Sequence, residues 1–201
     1  MVAEKLVVMV SSTVLDLPQH REEVREACLQ QEMFPDMMEY LAASSDDAIE
    51  VSLDKVDRAD VYVGVFGHRY GYIPKGHTIS ITQMEYERAV DLNIDRLIFI
   101  MHDDHPITIG DIDFEHRSQL TSLKERLASE NTINFFKSPA DLRALVVNSL
   151  SHFRYKRDEA KLQDADRFKE FVEHANLSEM MKESLRSVGA PALDQNGGDD
   201  E

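Results

Sequence analysis

One cysteine in 201 residues, Cys28, rules out an internal disulfide. It falls within a helical pattern, so a small buried hydrophobe is expected rather than a reactive thiol, and a reducing, cytoplasmic setting fits. Cations are also scarce: 22 Lys and Arg stand against 38 Asp and Glu, a formal net charge of -16. A phosphate backbone or an anionic membrane surface is held by clustered Lys and Arg, so neither nucleic acid nor membrane is an expected partner. No apolar run approaches the ~20 residues needed to cross a bilayer. The opening "MVAEKLVVMV" is too short in apolar residues for a signal-peptide core with its cleavage site. Also missing are a P-loop, a Rossmann glycine signature, a nucleophile elbow and a zinc motif. "HDDH", His102 to His105, has no accompanying Cys or His cluster and reads as a solvated acidic loop, so no metal or cofactor is expected.

What is present is an alternation. Hydrophobic residues make up 42% of the chain, enough for one main core. Short β-branched runs alternate with longer segments of helical period, the pattern of an α/β domain with a parallel sheet. Leu6 to Val10 reads as a first strand, followed by a helix to about Glu32 with Asp16 as its cap and Pro18 in its first turn. A weak second strand is expected around "DMMEYL", and a helix behind Ser44 or Ser45 carries Ile49, Leu53 and Val56 at helical spacing. "DVYVGVFG" is the strongest strand. The helix after it starts at Ser80, with Gln83 three residues on, a capping-box pattern. Arg96 to Met101 and Ile133 to Phe136 complete five strands, with a helix from about Arg117 to Ala128 between them. From Pro139 onward only helix is expected.

This pattern predicts a flavodoxin-like, doubly wound parallel sheet of order 2-1-3-4-5 with an extra C-terminal helix. The expected division is an α/β domain over residues 1–156, a helical extension over 157–189 and an acidic, disordered tail or linker over 190–201. Such sheets bind ligands at the carboxyl ends of strands one and three. Ser11, Ser12 and Thr13, then Glu39, then Phe66, Gly67, Arg69 and Tyr70 are therefore expected to gather there, beside the Ser80 cap. "SST" suits phosphate or ribose, though it also suits an ordinary turn or cap. "GHRYG" offers a cation and an aromatic between two glycines, or simply a tight turn. Glu85 stands out. Helical spacing places it on an inward stripe with Ile81, Met84, Arg88, Ala89 and Leu92, where a carboxylate needs a hydrogen bond, an ion pair or a cleft. Pairing with Arg88 is the structural alternative to a functional acid.

Taken together, "VMVSSTVLDLPQHREEVREA", the lone acid in "MMEYLA", "DRADVYVGVFGHRYGYI" and "SITQMEYERAVDL" resemble the DUF4062 family over roughly residues 5–102. That domain is often found at the N-terminus of NACHT-type or other STAND signalling ATPases. His20 departs from the pattern, which usually has an acid before the arginine, while Arg21 is kept. DUF4062 is regarded as TIR-like. Its last block is also similar to the nucleoside 2-deoxyribosyltransferase pattern, in which a helix-borne Glu precedes an Ala by four residues, here Glu85 and Ala89. The resemblance implies a cytoplasmic signalling or defence domain in which Glu85 acts on the N-glycosidic bond of NAD or a related nucleotide. It equally implies a non-catalytic assembly or nucleotide-sensing module. In either case a homo-oligomer is expected, with a STAND ATPase as partner or fused domain.

Overall fold

The computed structural model describes residues 5–38 and 45–188. Five parallel strands, β1 (Val7–Ser12), β2 (Phe34–Met37), β3 (Val61–Phe66), β4 (Asp95–Met101) and β5 (Ile133–Phe136), form one sheet of order β2-β1-β3-β4-β5. The expected doubly wound order is the one observed. β3 sits at the centre, and all six of its residues are buried, as a strand covered on both faces must be. Its alternation sorts the core. Tyr62 and Phe66 join Met9, Ile98 and Ile100 on one face, where they meet Val56 of α2 (Ser45–Asp57), Tyr86 and Ala89 of α3 (Ile81–Asp91) and Leu120, Leu123 and Leu127 of α4 (Arg117–Glu130). Val61, Val63 and Val65 point the opposite way. Outside that cluster, Val24, Ala27 and Cys28 of α1 (Pro18–Gln30) and Leu142, Val146 and Leu150 of α5 (Pro139–Val188) are also buried. Burial pushes the Cys28 thiol up to about 12, as suits an inert core residue.

Two boundaries differ from expectation, each for a local reason. β2 begins at Phe34, earlier than "DMMEYL", because α1 ends abruptly: Glu32 adopts φ 56°, and the Met33 amide bonds back to the Cys28 carbonyl. Such a turn is usually marked by glycine, and here a glutamate fills it. Asp16 does not cap α1. The cap position is Leu17, which offers no side-chain bond, and Asp16 turns to another loop. By contrast Ser80 does cap α3, accepting the Gln83 amide at 3.2 Å. α5 starts the same way, with Pro139 in its first turn and Ser138 accepting the Asp141 amide.

At the sheet edge, Pro35 of β2 stands opposite Val8 of β1. The chain divides into two compact units, Met1–His152, which holds the sheet, and Phe153–Glu201, of which the helical part is described to Val188. In the second unit Leu162, Phe168, Phe171 and Met180 are exposed. No helix among the described residues is long and apolar enough to cross a membrane.

Candidate functional site

A cleft of about 500 Å³ opens at the carboxyl ends of β1 and β3, where the strand order reverses. The end of β1 and the chain following it supply Ser12, Thr13, Val14 and Leu15; the segment before α3 supplies Arg69, Gly71, Tyr72 and Ile73; and α3 itself supplies Ile81, Thr82 and Glu85. Asp113, Glu115 and His116, between β4 and α4, form the facing wall.

Glu85 borders this cleft yet is only 4% exposed. Its inward stripe runs through Thr82, Glu85, Tyr86 and Ala89, rotated from the one predicted, so Leu92 is exposed and Arg88 turns outward. Arg88 bonds Asp57 through two nitrogens at 2.6 and 2.9 Å and does not close off Glu85. The carboxylate is instead held by hydroxyls: Ser11 donates to one oxygen and Ser52 of α2 to the other. Burial raises its pKa above the ordinary value, against the lowering effect of these two bonds and of the Arg21 and Lys55 charges. Each oxygen keeps a second lone pair. Arg21, itself buried, spans the ends of two strands, bonding the Ser12 hydroxyl at 2.7 Å and the Met38 carbonyl at 2.5 Å.

Beside Glu85 lies Tyr62, fully buried. Its hydroxyl is the single buried side-chain polar atom among the described residues with no hydrogen-bond partner. Ser11 stands near it but commits its proton to Glu85. Burial, and next the Glu85 charge, pushes the phenol well above its usual range.

The loops that carry the cleft are tied by Asp16. One of its oxygens accepts the Thr13 hydroxyl at 2.5 Å, and the other accepts the His68 and Arg69 amides at 2.9 and 3.2 Å. Gly67 makes room for it, since a Cβ there would lie 2.4 Å from that second oxygen. Burial raises the Asp16 pKa, and the bonds from the Thr13 hydroxyl and the His68 and Arg69 amides oppose the shift.

Of the predicted residues, Ser12, Thr13, Arg69 and Glu85 line the cleft, and Ser11 reaches it through Glu85. Glu39 lies outside the described residues. Phe66 and Tyr70, expected to gather at the ligand site, are packed in the core, and the Tyr70 hydroxyl donates to Gln83. The expectation is corrected by Tyr72, 48% exposed, which is the aromatic on the cleft. Gly67 serves the Asp16 contact and Ser80 the α3 cap, and neither lines the cleft. Sequence reasoning missed Ser52, although it shares the stripe of Ile49, Leu53 and Val56, and a polar residue in an apolar stripe was the available signal. It also missed Asp113 and His116, whose side chains pair at 3.2 Å, and nothing in "DIDFEH" announced them. Among the described residues no group of three or more His, Cys, Asp or Glu could hold a metal ion.

A family model described as "Domain of unknown function (DUF4062)" matches residues 7–151. No curated protein matches the chain significantly. Among solved structures, a 2-desoxiribosyltransferase from Leishmania mexicana is similar at 14% identity over 71% of this chain and 97% of that one, with a TM-score of 0.43. A superposition of that quality assigns neither substrate nor reaction.

Proposed function

The chain belongs to the DUF4062 family, and from that premise we propose that its cleft binds a nucleotide and that Glu85 acts on the N-glycosidic bond, NAD being the first substrate to consider. The observation carrying this reading is the Glu85 carboxylate, fixed between two serine hydroxyls and bordering a cleft at the reversal of strand order. A carboxylate placed there stabilises positive charge developing on the ribose anomeric carbon, or attacks it. When the leaving group is a pyridinium, the breaking C–N bond's electron pair neutralises the ring, and no general acid is needed. Water then adds to the anomeric carbon and surrenders a proton. His116, oriented by Asp113 on the facing wall, is suited to take it. Ser12 and Thr13 would meet ribose hydroxyls, Arg69 a phosphate, and Tyr72 a ring face.

In this proposal the domain is a TIR-like signalling or defence effector working in the cytoplasm as a homo-oligomer, with a STAND-type ATPase as partner or fused domain. A second reading has its own support: with 4% exposure and both oxygens engaged, Glu85 could equally be structural, the cleft then sensing a nucleotide within an assembly module. Glu85→Gln separates the two. The amide keeps shape, and the serine hydroxyls can rotate to accept as well as donate. Base release from NAD, NADP and common nucleosides should fall about 10²- to 10⁴-fold in a folded variant if Glu85 is catalytic. Equal rates in the two proteins, or no release by wild type at high concentration with the partner present, would favour the assembly module.

A further inference from the structure

A larger cavity, about 770 Å³, lies in the first unit beyond the cleft, bounded by the end of β4, the loop after it, α4 and β5. Most of its wall is apolar, with Ile100, Ile112, Phe114, Leu120, Ile133 and Phe135 contributing. Into this surface project the basic side chains of His68, Arg117 and Lys124; His102 also lines it, its Nδ1 accepting the Asp104 amide. Lys124 is half-buried, and among the described residues neither its side chain nor that of Arg117 makes a hydrogen bond or an ion pair. The His68 ring is likewise without a hydrogen bond, and the charge of Lys124 acts on it.

In a chain with 38 acids and 22 Lys and Arg, a half-buried ammonium without a carboxylate needs a reason. The acids on the cavity wall do not supply one. Asp113 is engaged with His116, while Asp103 and Glu125 are exposed and form no ion pair with Lys124. Burial depresses the Lys124 ammonium, with Asp103 and Asp16 opposing the shift from a distance. Desolvated and unpaired, it gains most from an anion that comes from outside.

We propose that this cavity binds a small amphipathic anion, a single carboxylate, sulfonate or monophosphate on an apolar body, with Lys124 and Arg117 meeting the charge. The site is separate from the cleft. The two share Asp113, and the turn from Gly67 to Gly71 stands between them, His68 lining one and Arg69 the other. Nothing in this inference rests on Glu85 chemistry.

The test uses the full chain and two fluorescent probes with similar ring systems, anilinonaphthalene sulfonate, which is anionic, and N-phenyl-1-naphthylamine, which is neutral. Lys124→Met keeps the apolar stem and removes the charge, and Ala128→Phe fills the cavity from α4. Wild type should bind the sulfonate saturably at one site. Lys124→Met should weaken it about tenfold, the value of one charge-assisted contact, while the neutral probe changes little. Ala128→Phe should abolish both. The proposal is overturned if wild type shows no saturable binding, if Lys124→Met binds the sulfonate as wild type does, or if Ala128→Phe leaves its binding intact. Melting curves confirm folding, and Arg117→Met provides an exposed second charge deletion should Lys124→Met fold poorly.

Discussion

Asp16 is where the two loops of the cleft are joined, so its replacement gives the sharpest test of how the site is built. Asp16→Ala would strand the Thr13 hydroxyl and the His68 and Arg69 amides. An unsatisfied buried donor costs about 1–3 kcal/mol, and these three are only half-buried, so water recovers part of the loss. A net destabilisation of about 2–4 kcal/mol is expected, a fall of about 5–15 °C in Tm for a unit of this size. Asp16→Asn should behave differently, because its oxygen can face the two amides while its nitrogen donates to Thr13. The pH dependence separates the two variants. The folded-state pKa of Asp16 is raised, so its favourable contribution is fully present below the unfolded value of 3.8 and lost as pH rises through the folded value. At pH 8 Asp16→Asn is relieved of a buried charge and should equal or exceed wild type, an advantage that fades below pH 4. Urea unfolding of wild type and both variants at pH 8 and pH 4 measures this. Asp16→Ala within about 0.5 kcal/mol of wild type, or Asp16→Asn as damaged as Asp16→Ala at pH 8, would refute the role given to this carboxylate.

Three further outcomes follow from single positions. His20 is buried against His105 and Phe136, and burial, then the neighbouring His105, lowers its pKa to about 4. Its stabilising contribution is complete above 6.5 and lost as pH falls towards 4, so His20→Gln should flatten the stability profile across that window in chemical denaturation. Tyr62→Phe removes a hydroxyl with no partner and should be neutral or stabilising by up to about 1 kcal/mol; a loss above that in thermal melts would mean the hydroxyl is bonded after all. Glu32→Gly relieves a left-handed backbone at φ 56° and should raise stability by about 0.5–1 kcal/mol in urea titrations.

The sheet was legible because its strands are short, apolar and doubly covered. β3 could hardly be read otherwise, and its position fixed the reversal point where the cleft opens. Glu85 was legible for a related reason, since a lone acid in an apolar stripe breaks a pattern that is otherwise kept. What could not be read was partnership across the fold. Asp16 looks like a helix cap in one dimension, and only the packing of Gly67 against it reveals that it reaches 52 residues along the chain to the His68 amide. Tyr70 and Tyr72 are two residues apart and equally aromatic, yet one is core and the other borders the cleft, a choice made by the turn between them, where Gly71 takes φ 98°. His116 depends on a long β4–α4 connection that carries no local signal.

Pro35 has a consequence for how copies of this domain could meet. In β2 the Phe34 amide points inward to Leu6 of the preceding chain, so the next residue presents its nitrogen to the open edge. Proline carries no hydrogen there, and Asp36 beside it is tied to Lys55 of α2. An incoming strand would find one donor missing from the ladder. Growth of the sheet across this border is thereby discouraged, so two copies meeting along β2 would have to touch through side chains and loops rather than through a shared ladder of backbone bonds that would be slow to undo.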